Sequence, residues 1–145
     1  MKEISHYINK IYINILASLM LLPAILSLSG CQKASINGHL DGRWQIMEIE
    51  TDGIVNSMKD EQLYYNFYLH VCNLSFYGGI FAEANLKYEN DIITLDFPYL
   101  HQTDHFNRLR SYGIYSNPEE FRVLFLDKNK LIMENDESII TLRKF

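Results

Sequence analysis

The sequence has 145 residues, of which 13 are basic and 18 acidic, and its formal net charge is −5. That length suits one domain of ordinary size, and the acidic balance argues against nucleic-acid binding, which needs a basic patch. Two cysteines are too few for a disulfide framework or a cysteine-based zinc site.

The first thirty residues predict a bacterial export signal. Lys2 and Lys10 place positive charge ahead of residues 11–30, which carry no charged side chain. Pro23 and several small residues follow near the end of this segment, as at a signal-peptide cleavage site. The apolar run is also just long enough for a transmembrane helix, which needs about 20 residues, so an uncleaved anchor is the alternative.

A short motif ends this segment. It consists of Leu28, Ser29, Gly30 and Cys31, and it resembles the lipobox of bacterial lipoproteins. The resemblance implies that the Cys31 thiol takes a diacylglycerol, that the signal is cut just before it, and that the new amine is acylated. Each buried methylene contributes about 0.8 kcal/mol, so two or three acyl chains hold a protein on a membrane. No acidic residue directly follows Cys31, so we expect the outer membrane, in either its periplasmic or its surface leaflet.

We therefore expect three parts: a cleaved signal over residues 1–30, a lipidated tether over 31–40 and a folded domain over 41–145. The predicted strands of this domain cover residues 43–49, 63–71, 80–88, 92–97, 121–126, 131–134 and 138–145. After Cys72 the phase of the apolar residues shifts, which indicates a bulge or bend near Asn73. Thr103 or Asp104 as N-cap and Gly113 as terminator predict one short helix.

The strand predicted over residues 63–71 alternates most clearly. One face is apolar and should belong to the core, whereas Tyr64 and Tyr68 lie on the other face and indicate an exposed patch. Seven or eight strands with short links predict an antiparallel barrel or sandwich. Sequential hairpins favour the barrel. We expect an all-β, up-and-down barrel of about eight strands.

Gly42 and Trp44 open the first predicted strand. Their Gly-x-Trp spacing resembles the lipocalin signature, and the whole chain resembles small lipocalin-like lipoproteins of Gram-negative anaerobes. The resemblance implies that Trp44 closes one end of the barrel and that Arg143, near the chain end, lies across the indole. The sequence departs from lipocalins in lacking their Thr-Asp-Tyr motif and a disulfide.

The resemblance implies a fold and an anchor but no activity, and our first hypothesis is binding without catalysis, of a small apolar or glycan-derived ligand. An eight-stranded barrel has room for one small ligand or for side chains alone, so a filled core is the alternative. Besides Trp44, the side chains expected to face the interior are Ile46, Tyr65, Phe67, Leu69, Phe121, Val123, Phe125 and Met133. A second hypothesis is an interaction module that docks another envelope protein through a strand edge or the tyrosine face.

Metal or enzyme chemistry is the weakest hypothesis. His101 and His105 are four residues apart and would share a helix face, but no third ligand is identifiable. The other candidates lack orienting partners nearby or fit ordinary structural positions: His39, His70, Cys72, Glu48 and Glu50. We therefore expect no enzymatic activity, no cofactor and no bound metal.

Overall fold

The computed structural model describes residues 35–100 and 107–145, and Ser35–Phe145 form one compact unit. The strands described are β1 (Gly42–Thr51), β2 (Ile54–Ser57), β3 (Leu63–Tyr68), β4 (Val71–Phe76), β5 (Gly79–Glu89), β6 (Ile92–Asp96), β7 (Glu119–Leu126), β8 (Lys130–Glu134) and β9 (Ile139–Lys144). Short 3-10 turns cover Gly38–Leu40 and Arg110–Tyr112, and the second continues a helical turn over residues 107–109.

Strand β1 closes the sheet into a barrel because it pairs along both edges. One edge pairs with β9, and the other pairs first with β3 and then, beyond Glu48, with β2. From β3 to β9 each strand pairs antiparallel with the next. Eight strands therefore form a closed up-and-down barrel, β2 is an additional strand outside it, and a short helix lies between β6 and β7. The predicted fold is confirmed.

The long strand predicted over residues 63–71 is wrong, because the chain reverses at Leu69 and His70. Tyr68 pairs directly with Val71, and Leu69 takes a positive φ of 54°. Leu69 and His70 are not among the residues that favour such turns. Because Leu69 also continues the apolar alternation of β3, the sequence does not reveal the reversal. The reversal turns Cys72 and Leu74 towards the core, where both are fully buried.

The barrel has two different ends. At the basal end lie the Gly38–Leu40 turn, the end of β9 and the hairpins at residues 69–70, 90–91 and 127–129. At the opposite end, the helix end, lie the hairpins at residues 77–78 and 135–138 and the described parts of the β6–β7 connection, residues 97–100 and 107–118.

Residues 35–40, expected in the tether, belong to the compact unit. Asn37 Nδ2 donates a 2.7 Å hydrogen bond to the carbonyl oxygen of Leu69, and the Leu40 side chain is fully buried. Ser35 Oγ donates to Asp41 Oδ2 over 2.7 Å. Residues 35–40 are therefore part of the compact unit that contains the barrel.

Candidate functional site

The interior of the barrel is filled by large side chains. Trp44, and five of the eight residues predicted to face a ligand, are 1% exposed or less: Ile46, Tyr65, Phe67, Phe121 and Met133. Side chains without water-accessible surface leave no water-sized space beside them. Among the described residues, the filled-core alternative therefore fits the structure better than a hollow barrel.

Of the other three predicted residues, Val123 packs against this core, whereas Leu69 and Phe125 lie outside it. Leu69 is part of the β3–β4 turn, and Val123 is half-buried near the basal end of β7. Phe125 is 46% exposed, because the register between β7 and β8 shifts between Val123 and Phe125. A bulge of this kind reverses the direction of the side chains that follow it, and period-two alternation in the sequence does not reveal it.

Trp44 closes the basal end, but the cation beside it is not the predicted one. The Nζ atom of Lys144 lies 4.8 Å from the centroid of the indole, whereas Arg143 donates a 3.0 Å hydrogen bond to Oε1 of Gln45. Trp44 pairs with Lys144 and Gln45 with Arg143 across the β1–β9 ladder. Successive side chains point to opposite faces of a strand, so the prediction was wrong by one residue.

Backbone carbonyls fix the Lys144 ammonium in this position. Its Nζ donates to the carbonyl oxygens of His39 and Asp41 over 2.8 and 2.6 Å. Partial burial lowers the pKa of Lys144, and the nearby Asp41 carboxylate partly offsets that effect. Gly42 is required beside it, because its φ is 133° and a Cβ atom would lie 2.6 Å from Cε of Lys144. The Trp44 Nε1 atom donates to the carbonyl oxygen of Leu40 over 2.7 Å.

At the helix end, the connection between β6 and β7 covers the barrel. Leu109, Tyr112 and Ile114 from this connection are buried. Tyr65, from inside the barrel, donates a 2.6 Å hydrogen bond to the carbonyl oxygen of Tyr112. The carboxylate of Glu119 accepts hydrogen bonds from the backbone N–H groups of Tyr115 and Ser116 over 2.6 and 2.8 Å. These contacts fasten the connection to the barrel wall.

A group of aromatic rings and one arginine lies beside this cover. We call Phe76, Phe81, Arg108 and Tyr112 the mouth cluster. The guanidinium carbon of Arg108 lies 5.0 Å from the Phe76 ring centroid and 5.2 Å from that of Phe81. The rings of Phe81 and Tyr112 stack with centroids 6.1 Å apart, and Tyr77, in contact with Phe76, is 74% exposed.

The hydroxyl group of Tyr112 is buried and has no hydrogen-bond partner in the part of the chain that the structure describes. Burial raises the pKa of Tyr112 to about 12, although the positive charge of Arg108 acts in the opposite direction. A buried hydroxyl without a partner costs about 1–3 kcal/mol, which a polar ligand atom would recover. The mouth cluster thus combines flat apolar rings, an exposed cation and an unused hydrogen-bonding group.

The mouth cluster was not predicted from the sequence. Its members come from the two sides of the hairpin at residues 77–78 and from the short helix between β6 and β7. The available signal was the concentration of aromatic residues around that turn. This local signal does not reveal the strand order, which brings the helix to the same end of the barrel.

The remaining candidate residues do not form a second site. Cys72 is fully buried, and burial raises the pKa of its thiol. Tyr64 is buried because the guanidinium group of Arg43 covers its ring at 4.0 Å, so only Tyr68 of the expected tyrosine patch is exposed. His39 and His70 are exposed, and no group of three metal-ligating side chains occurs within the described ranges.

Several predictions concern residues outside the described ranges: Leu28, Ser29, Gly30, Cys31, His101 and His105. Within residues 35–100 and 107–145, no helix is both long enough and apolar enough to cross a membrane.

Comparison with known proteins identifies the class. Residues 25–145 match the family model described as a lipocalin-like domain, and the chain belongs to this family. A lipocalin-like protein from Bacteroides uniformis is similar in structure, with a TM-score of 0.63 and 21% identity over 74% of this chain and 100% of that one. An uncharacterized protein from Bacteroides eggerthii has a TM-score of 0.58 and 16% identity, over 72% and 98% of the two chains. No curated protein matches the sequence significantly.

Proposed function

We propose that this protein is a lipid-anchored lipoprotein of the outer membrane that binds a small ligand without catalysis. The ligand would be an apolar or glycan-derived molecule with a flat face and an acidic group. The membrane contact is the N-terminal lipid, and neither nucleic acid nor a cofactor takes part.

The mouth cluster is the observation that carries the proposed binding. Because the barrel interior is filled, a ligand must bind at a surface of the barrel. A guanidinium group across two aromatic rings attracts an anion while the rings offer apolar contact. The Tyr112 hydroxyl, which has no partner among the described residues, adds a group that can hydrogen-bond to a ligand.

An aromatic sulfonate dye, 1-anilinonaphthalene-8-sulfonate, is a suitable first probe because it combines flat rings with an anion. We expect saturable binding of one dye molecule to the wild-type protein. Arg108→Ala should weaken binding about tenfold, which corresponds to about 1.4 kcal/mol. Arg110→Ala is the matched control, since Arg110 is also exposed two residues away but contributes to none of the described ring contacts. Equal weakening by both variants would refute the mouth site.

The lipid anchor is supported by the motif that ends at Cys31, four residues before the compact unit that contains the barrel. We expect palmitate labelling of the wild-type protein in cells and none of Cys31→Ser, which should accumulate as unprocessed precursor. Normal processing of Cys31→Ser would refute the anchor and leave the mouth site unaffected.

Strand β2 favours the second candidate function, docking of an envelope protein. Within the described residues it pairs only with β1, and all four of its side chains are exposed, including Ile54 and Val55. An exposed strand edge is a template for a strand from another chain. Crosslinking in cells should then recover one dominant partner, and Val55→Lys should abolish its capture. Failure of several crosslinkers to recover any partner would refute this function.

A further inference from the structure

Three apolar side chains are exposed at the basal end of the barrel, where the compact unit begins. They are Ile36, Leu124 and Phe125, which are 59%, 47% and 46% exposed, and we call them the basal patch. Residues 37–39 and 123–126 line one surface depression of about 510 Å³, which places the start of the chain next to the end of β7.

The exposure of two consecutive residues in one strand is unusual. In a regular strand, Leu124 and Phe125 would point to opposite faces, and one of them would be buried. The register shift between Val123 and Phe125 leaves both exposed. Neighbouring exposed apolar side chains of this kind mark interaction surfaces rather than ordinary exposed residues.

The short distance along the chain from Cys31 to the barrel determines which membrane surface can reach the basal patch. Ser35 is held in place, because its Oγ atom lies 2.6 Å from the carbonyl oxygen of Gly38 and 2.7 Å from Oδ2 of Asp41 and can donate its one hydrogen to either acceptor. Cys31 lies four residues before Ser35, and four residues span at most about 14 Å. An acylated Cys31 would therefore keep the basal end within about 14 Å of its own bilayer.

We propose that the basal patch inserts into the interfacial region of the bilayer that holds the Cys31 lipid, which directs the mouth cluster away from the membrane. This inference rests on the lipid anchor of the proposed function. Asp91 lines the depression, and the β7–β8 hairpin at the same end of the barrel carries Asp127, Lys128 and Lys130. Because both signs of charge are present, the contact is apolar and does not depend on anionic lipid.

A fluorophore at the patch tests this orientation in the lipidated chain. Protein purified from its own membranes is reconstituted in phosphatidylethanolamine–phosphatidylglycerol vesicles that contain lipids brominated high in the acyl chain. Bimane is attached to Leu124→Cys or Phe125→Cys at the basal patch, and to Tyr77→Cys at the helix end as the matched exposed control. The native Cys72 is fully buried and should not react.

We expect at least threefold stronger quenching at positions 124 and 125 than at position 77, with no change in 0.5 M salt. Equal quenching at the two ends, or stronger quenching at position 77, would overturn the orientation. Quenching of the labels by one another without quenching by lipid would instead identify a second copy of the chain as the occupant. That result would also overturn the proposal.

Mass measurement of the same samples separates the two possible failures. An acylated chain with unquenched basal labels overturns the orientation alone and leaves the anchor in place. A chain without acyl groups overturns the anchor, and the orientation falls with it. Reaction of the wild-type protein with bimane would reveal that second case directly, since an acylated Cys31 has no free thiol.

Discussion

The hydroxyl group of Tyr65 donates a 2.6 Å hydrogen bond to the backbone carbonyl oxygen of Tyr112, and both side chains are buried. Tyr65 belongs to β3 in the barrel wall, whereas Tyr112 lies in the segment that covers the helix end. Their rings also meet edge to face with centroids 5.9 Å apart. One pair of residues therefore connects the barrel core to its cover and to the mouth cluster.

Removal of the Tyr65 hydroxyl should destabilise the fold. Tyr65→Phe keeps the ring but leaves the carbonyl oxygen of Tyr112 buried without this donor, which costs about 1–3 kcal/mol. Tyr88→Phe is the control, because its 3.3 Å hydrogen bond to Asp91 is exposed and should contribute much less. The free energy of unfolding in urea measures both changes. Equal effects of the two variants would show that the bond does not fasten the cover.

The protein should lose stability in alkaline solution. Burial raises the pKa of Cys72, Tyr65 and Tyr112 above their ordinary values of 9.0, 10.0 and 10.0. Groups with a raised folded-state pKa contribute stability that is fully present below the unfolded-state pKa and is lost as pH rises above it.

Lys144 acts in the opposite direction, because its pKa is lowered in the folded protein, but partial burial and Asp91 also raise the pKa of Tyr88, so it is one group against four. Unfolding midpoints between pH 8 and pH 12 should therefore fall from about pH 9 upwards. The fall of the unfolding midpoint between pH 9 and pH 10 should be smaller in Cys72→Ala, because this variant has no thiol to ionise on unfolding. An identical decline in that variant would show that burial of Cys72 does not contribute.

Gly113 should tolerate no side chain. Its φ is 75°, and a Cβ atom would lie 2.5 Å from Cδ1 of Ile140. Gly53 is a matched control, since its φ is also 75° but no atom lies within 4 Å of the added Cβ. Gly53→Ala should cost about 1–2 kcal/mol for the backbone conformation, and Gly113→Ala about 1–3 kcal/mol more for the clash. Thermal unfolding compares them, and similar costs would refute the close packing of the cover on β9.

Lys144, rather than Arg143, should control the environment of Trp44. Lys144→Met removes the charge beside the indole and two hydrogen bonds to backbone carbonyls, so the fluorescence of the single tryptophan should change and stability should fall by about 1–3 kcal/mol. Arg143→Met removes a contact with Gln45 on the other face and should leave the emission unchanged. A change of emission in Arg143→Met but not in Lys144→Met would instead place Arg143 beside the indole, as expected from the sequence.

Much of this architecture follows from local sequence patterns. The alternation around Trp44, Tyr65 and Phe67 and the short polar links define antiparallel hairpins, and the Gly-x-Trp spacing identifies the first strand of the barrel. Strand β2 was missed, because Ile54 and Val55 are both exposed and two residues show no alternation.

The candidate site could not be predicted in the same way. The contact between Arg108 and Phe76 joins residues 32 positions apart, and only the order of the strands brings them together. The exposure of Phe125 depends on a bulge, and the position of Lys144 over Trp44 depends on the β1–β9 register. These are long-range features, whereas hydrophobic periodicity reports only local faces.

Native mass spectrometry of the protein released gently from its own membranes tests the central claim, that the mouth cluster holds a ligand, most directly. The wild-type protein and Arg110→Ala should each carry one small molecule of constant mass, and Arg108→Ala should lose it. A wild-type protein without a bound molecule, or an Arg108→Ala variant that retains it, would contradict the mouth cluster as the binding site.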